Sequence, residues 1–303
     1  MSKEPKQTTG STPAPASGEH APGTHAPAGP PPRIGWLSSG RDPAARTLLR
    51  EVMERAARDQ LPLHIALVFC DRERGESAES DAFLSLAAHL DLPVATLSSA
   101  ASWEAFRAGA PQTTDVDRNA WRAAFHEEAL RLLEPHQLDV LVLAGYMLIV
   151  SPAMCARHAM LNLHPALPGG PTGSWQEVIW ELLRRGAKET GAMIHLVTPD
   201  LDRGPVVSFD RFPIRGGAFD PLWEAFGSKV TARGLDTIMQ EEGEAEPLFA
   251  LIRSTGEARE IPLLYRTVAQ FVLGRLRAAH GHVLSSTPLP MDLTAEVERE
   301  VGT

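Results

Sequence analysis

Apolar residues follow two rhythms along this chain. Near-continuous runs at Arg33 to Leu37, Leu63 to Cys70, Pro93 to Leu97 and Leu138 to Val150 read as strands covered on both faces. Leu161 to His164 alternates as a short strand that ends in a polar pair, and Gly191 to Val197 is a further apolar strand with His195 inside it. Between these runs the spacing turns helical. A helix is predicted from the first turn through about Arg58, and others over Asp81 to Leu90, most of Trp103 to Pro135, and Trp175 to Arg185. Pro221 to Met239, Glu246 to Ile252 and Leu263 to Ala279 complete the helical segments, and Val283 to Thr303 reads as irregular. Strands that alternate with helices predict an α/β fold, a doubly wound and mostly parallel sheet joined by right-handed crossovers, with C-terminal helices.

The first 32 residues are Pro, Ala, Gly, Ser and Thr with almost nothing to bury, so they predict a disordered tail. Residues 33–216 are expected to form the main domain and residues 217–303 a helical extension packed on it. His20 and His25 lie in the tail and read as solvated side chains rather than a metal site. Glu177 and Glu181 stand one turn apart but have no His or Cys at ligand spacing, so they read as a solvated helix face, and no metal is expected. Trp121 reads as core.

A net charge of −9 argues against a general nucleic-acid or membrane-surface binder. Cys70 and Cys155, the two cysteines, are far apart in apolar settings, which excludes a disulfide framework and fits a cytoplasmic protein. No apolar run approaches the roughly 20 residues of a membrane span.

Candidate chemistry gathers where the apolar pattern breaks without structural need. Asn162 and His164 close one strand, and the loop after them is rich in Pro and Gly. Asp202 follows the next strand in a turn-forming segment, 38 residues beyond His164 (202 − 164), which leaves room for one crossover helix. The first strand leads into Ser38-Ser39-Gly40-Arg41-Asp42 and a helix, an arrangement that offers backbone N–H groups and a helix dipole to a phosphate. Arg41 there is either a phosphate ligand or a solvated arginine.

The stretches AGYMLIVSP, NLHPALP and GAMIHLVTPDLDRGPVV resemble the formyltransferase family in order, residue type and spacing, over roughly Ile34 to Arg215. That resemblance implies a Rossmann-like fold and transfer of a formyl group from 10-formyltetrahydrofolate, as co-substrate, to a small, phosphorylated amine such as glycinamide ribonucleotide. It puts Asn162, His164 and Asp202 on the family's catalytic residues and His195 beside them in an orienting role. It implies cofactor contacts from Met147, Leu148, Val150, Thr198 and Leu201, and substrate contacts from Ser39, Gly40, Arg41, Gly145 and Glu242. Three features depart from the family pattern: the sparse SSGRDP turn, Leu148 where relatives carry Arg, and ALPGGPTGSWQ where relatives carry a SLLP-type loop. Alternatives stay open at this point: an amino sugar nucleotide or water as acceptor, or a non-catalytic binder on the same fold.

Overall fold

The computed structural model describes residues 30–109, 115–279 and 281–302. Most of the expected tail, with His20 and His25, lies outside the described residues.

The chain builds β1 (Arg33–Ser38), α1 (Pro43–Arg58), β2 (His64–Cys70), α2 (Ala78–His89), β3 (Val94–Thr96), α3 (Ser99–Ala108), α4 (Asp115–Leu133) and β4 (Val140–Leu143). It continues through α5 (Pro152–Arg157), β5 (Met160–His164), α6 (Trp175–Arg185), β6 (Glu189–Leu196), β7 (Val206–Pro213), α7 (Phe219–Arg233) and α8 (Leu235–Glu241). Last come α9 (Pro247–Val272), the hairpin β8 (Leu276–Ala279) and β9 (His282–Ser285), β10 (Met291–Asp292) and α10 (Thr294–Val301). One eight-stranded sheet has the order β10-β7-β6-β5-β4-β1-β2-β3. Its strands run in one direction except β6, which is antiparallel to both β5 and β7. This is the mostly parallel, doubly wound α/β sheet that the patterning predicts.

Both sheet faces are dry, which is why the central strands read as unbroken apolar runs. On one face Ile34, Trp36, Val142 and Leu161 pack with Leu49 and Val52 of α1 and with Leu264 and Val268 of α9. On the other, Leu37, Leu141, Leu143 and Met160 meet Trp121, Phe125 and Leu133 of α4. Trp121 is core, as its spacing implies.

The helix expected over Pro221 to Met239 breaks into α7 and α8 at Gly234, whose φ is +81°. Three further expectations fail for a tertiary reason. The predicted strand over Leu138 to Val150 ends at Leu143. Here β1, its ladder partner, turns away after the Leu37–Leu143 pair, and Gly145 at φ +71° carries the chain out of the sheet. The helices expected over Glu246 to Ile252 and Leu263 to Ala279 are one helix, α9, because buried contacts along Leu248 to Val272 outweigh the local cost of an internal proline, and the expected helix end at Leu276–Ala279 is instead strand β8. The stretch expected to be irregular, Val283 to Thr303, contributes β9, the edge strand β10 and α10.

Helix α9 is pinned by a buried ion pair between Arg259 and Asp210 of β7. Asp210 also accepts the Ala192 N–H at 3.3 Å, and Arg259 donates to the Arg211 carbonyl at 3.2 Å. Removing Asp210 leaves the buried Arg259 guanidinium with only the exposed Glu298 carboxylate, 3.9 Å away. Asp210→Ala is therefore expected to lower stability by about 3–5 kcal/mol in denaturant titration. Glu127→Ala, which breaks an exposed pair with Arg157, should cost about 0–1 kcal/mol.

Candidate active site

Strand β5 runs past the end of β4: Asn162 pairs with Leu143, the last residue of β4, and His164 stands two residues further on. Alternation puts Asn162 and His164 on the same sheet face. The reversed strand β6 then sets His195 directly opposite Asn162, with a bulge between Ile194 and His195 where β6 meets β7. Such a bulge re-aims side chains at the end of a ladder.

Asp202 arrives from the turn between β6 and β7. Its backbone is left-handed at φ +55°, a conformation that Asp tolerates better than most residues. The turn closes tightly: Leu196 N–H donates to the Pro205 carbonyl at 2.9 Å, and a side chain at Gly204 would sit 1.7 Å from the Leu196 carbonyl oxygen. Glycine is required there for the turn to fold back on β6.

The four polar residues converge. Asp202 Oδ2 lies 3.7 Å from His164 Nδ1, and its Oδ1 lies 3.8 Å from His195 Nε2. His164 Nε2 donates to the Pro171 carbonyl at 2.8 Å, so both its ring nitrogens face oxygens. His195 Nδ1 donates to the Leu196 carbonyl at 2.9 Å, which leaves Nε2 to accept from Asn162 Nδ2 at 3.4 Å. Burial lowers the His195 pKa, with partial compensation from the Leu196 carbonyl and Asp202. The ring is therefore neutral near pH 7 and orients the Asn162 amide, leaving that amide a second N–H.

Asn162, His195 and Asp202 line a cleft of about 420 Å³ together with Tyr146 to Val150, Val197 to Pro199 and Leu201, and the buried His164 stands beside Asp202, outside that lining. Met147, Ile149 and Leu201 expose apolar side chains at its rim, at 55%, 44% and 55%. All five expected cofactor contacts, Met147, Leu148, Val150, Thr198 and Leu201, line it. Gly173, Ser174 and Glu177, from the loop after β5 and the start of α6, line it as well. Glu177 forms a capping box with Ser174, whose backbone N–H holds the carboxyl below its ordinary pKa.

The expected substrate contacts lie differently. Ser39 is buried: its N–H donates to the Gly145 carbonyl at 2.9 Å, and its Oγ accepts the Met147 N–H at 2.9 Å. The Gly40 N–H is taken by Ser38 Oγ at 3.2 Å. Asp42 caps α1 by accepting the Ala45 N–H at 3.1 Å, and Pro43, the first helical residue, has no N–H. Arg41 is exposed. Glu242 pairs with Lys229 at 2.6 Å and Arg233 at 2.8 Å, at the end of α8 and outside the cleft lining.

The chain matches the formyl transferase family over residues 44–217, 174 of its 303 residues (217 − 44 + 1), beginning just past the Ser38 to Asp42 turn. The chain belongs to the formyl transferase family. It is 36% identical over 102 residues to phosphoribosylglycinamide formyltransferase of Escherichia coli, covering 32% of this chain and 45% of that enzyme's length. To the phosphoribosylglycinamide formyltransferase of Mycobacterium tuberculosis it is 30% identical over 189 residues, 62% of this chain and 74% of the relative. To formyltetrahydrofolate deformylase of Bacillus subtilis it is 38% identical over 92 residues, 29% of this chain and 30% of that protein. The fold is similar to that of phosphoribosylglycinamide formyltransferase from Coxiella burnetii, with a TM-score of 0.56 and 22% identity over 84% of this chain and 94% of that one. Among the described residues no helix is long and apolar enough to cross a membrane.

Sequence patterning missed the polar groups behind the cleft. His126 of α4 is fully buried, with Nδ1 accepting the Ser151 N–H at 3.3 Å and Nε2 donating to the Tyr146 hydroxyl at 3.2 Å. Its signal is a histidine next to Phe125 on the buried stripe of a helix. Asp71, buried at the carboxyl end of β2, accepts from Ser99 Oγ at 2.9 Å. A carboxylate just past the carboxyl end of a parallel strand was the available clue.

Burial lowers the His126 pKa to about 4 from an ordinary 6.5. Between those values the unfolded chain binds a proton that the folded protein refuses. The stability contribution is thus complete above about pH 6.5 and is lost as pH falls toward 4, on the order of 3 kcal/mol in all. Denaturant titrations from pH 7.5 to 4 are expected to show this slope in the wild type and a shallower one in His126→Gln.

Proposed function

We propose that this protein transfers the formyl group of 10-formyltetrahydrofolate to a primary amine. The observation that carries the reading is the convergence of Asn162 and Asp202 in the lining of an apolar-rimmed cleft, with His164 beside Asp202. Attack of an amine on a formyl carbonyl creates a negative oxygen and a positive nitrogen, and the leaving folate nitrogen needs a proton. The free N–H of the Asn162 amide donates to the oxygen. His164 donates a second hydrogen bond from Nε2 and passes a proton to the leaving nitrogen, the Pro171 carbonyl giving way to substrate. Asp202 balances the imidazolium and takes the proton from the attacking amine, directly or through water. The apolar ring faces of the carrier suit the rim of Met147, Ile149 and Leu201, while its polar pterin edge calls for hydrogen-bond partners from the cleft backbone.

The acceptor acting in the named E. coli and M. tuberculosis relatives would bring a phosphate to the turn after β1. Here that turn spends the Ser39 and Gly40 N–H groups internally, lacks one at Pro43, and carries the Asp42 carboxylate at the positive end of α1. Glu242 is likewise held by two cations. These features favour an amine that needs no phosphate at this turn.

The test is formyl release from 10-formyltetrahydrofolate with and without amines, which separates amine from water as acceptor. His164→Ala and Asp202→Asn are each expected to lower turnover by about 10²–10⁴-fold while melting as the wild type does. Near-normal turnover in either variant would remove that residue from the mechanism. With glycinamide ribonucleotide and its dephosphorylated riboside compared side by side, kcat/KM should favour the riboside or be equal. A preference above tenfold for the ribonucleotide, competed by inorganic phosphate, would instead assign the phosphate to this turn.

A further inference from the structure

The wall of the cleft from Gly145 to Val150 has no strand ladder, yet it must hold the shape of a binding surface. Beyond β4 the backbone is neither strand nor helix until α5. Buried side chains from neighbouring elements hold it instead.

At one end the support is Ser39, whose main chain and side chain grip the wall at two points, Gly145 O and Met147 N. A serine hydroxyl has one proton to give, and because Oγ accepts from Met147 that proton points elsewhere. The Asp71 carboxyl stands behind it: burial pushes its pKa up, and hydrogen bonding from the Ser39 and Ser99 hydroxyls partly offsets that. Asp71 is tied down in turn: Ser99 donates to it through Oγ, the Ser99 N–H donates to its carbonyl at 2.9 Å, and its own N–H reaches the Ser38 carbonyl at 3.4 Å. Its Oδ1 has no hydrogen-bond partner among the described residues, an expensive arrangement for a residue 3% exposed and one that calls for a purpose. At the other end of the wall His126 bonds both the Tyr146 hydroxyl and the Ser151 N–H.

We propose that Asp71, acting through Ser39, is a positioning residue for the formyl carrier: it fixes the height of the Met147 backbone over the cleft. His126 braces the far end of the same wall. The proposal rests on the reading that the cleft takes 10-formyltetrahydrofolate. None of these groups faces the reacting atoms, so their loss acts on carrier binding and not on the chemical step.

The experiment compares wild type with Ser39→Ala, Asp71→Asn, the double variant and Ser99→Ala by two readouts. Ser99 is half-exposed at a helix start, so Ser99→Ala remains folded even where the buried changes do not. Amide exchange is expected to speed up at residues 145–150 in each variant. The KM for 10-formyltetrahydrofolate should rise about tenfold in Ser39→Ala and Asp71→Asn and about threefold in Ser99→Ala, with kcat within twofold. The double variant should be no worse than Ser39→Ala alone, because the two residues form one chain. Unchanged exchange at 145–150, or faster exchange with an unchanged KM, overturns the proposal. If wild type neither binds nor uses the carrier, the functional reading fails, and the exchange arm still decides whether Asp71 and Ser39 hold the wall.

Discussion

The antiparallel pairing of β5 with β6 is the constraint on which the site depends. Were β6 parallel to β5, the turn that follows it would leave from the opposite end of the ladder, away from His195 and Asn162. Reversal of β6 puts His195 in register with Asn162 and brings the following turn, with Asp202, back to the same ladder end. Two hydrogen bonds then fix the arrangement: His195 to its neighbour's carbonyl, which sets the tautomer, and Asn162 to the remaining ring nitrogen. The polar constellation is thus a property of strand register, and a slip of one residue would turn every member to the opposite face.

The rest of the sheet supplies a rigid frame around this pair. Parallel strands on the β1 side are buried on both faces, and α9 lies across the other half, anchored by Arg259 to β7. Rigidity matters because hydrogen bonds that stabilise a transition state must be in place before the reaction begins. Where the frame stops, at the end of β4, the binding surface changes character. Side chains take over from ladder bonds, and Ser39, Asp71 and His126 occupy positions that a core would normally give to apolar groups.

The turn after β1 satisfies its own polar groups. The strand-turn-helix geometry persists, but the helix start is capped from within by Asp42 and opened by Pro43. An internal carboxylate at the positive end of a helix stabilises the helix and repels an incoming anion by the same electrostatics.

Much of this protein was legible in the residues alone. Apolar runs bounded by turn residues gave the parallel strands because burial on both faces leaves no room for polar alternation, and Asn162, His164 and Asp202 stood out because apolar surroundings gave them no structural use. Other features needed the fold. The end of β4 was hidden because ladder bonds depend on whether β1 continues beside it, a non-local fact. The single helix across Pro262 was hidden because its stability comes from contacts with β6, β7 and α1. The roles of Ser39, Asp71 and His126 were hidden for the same reason: their partners lie between 20 and 108 residues away in sequence. Local pattern determines which segments can form elements and which polar residues are surplus to a core. Only the tertiary structure decides which distant groups those residues meet, since hydrogen bonding and desolvation are set by neighbours in space.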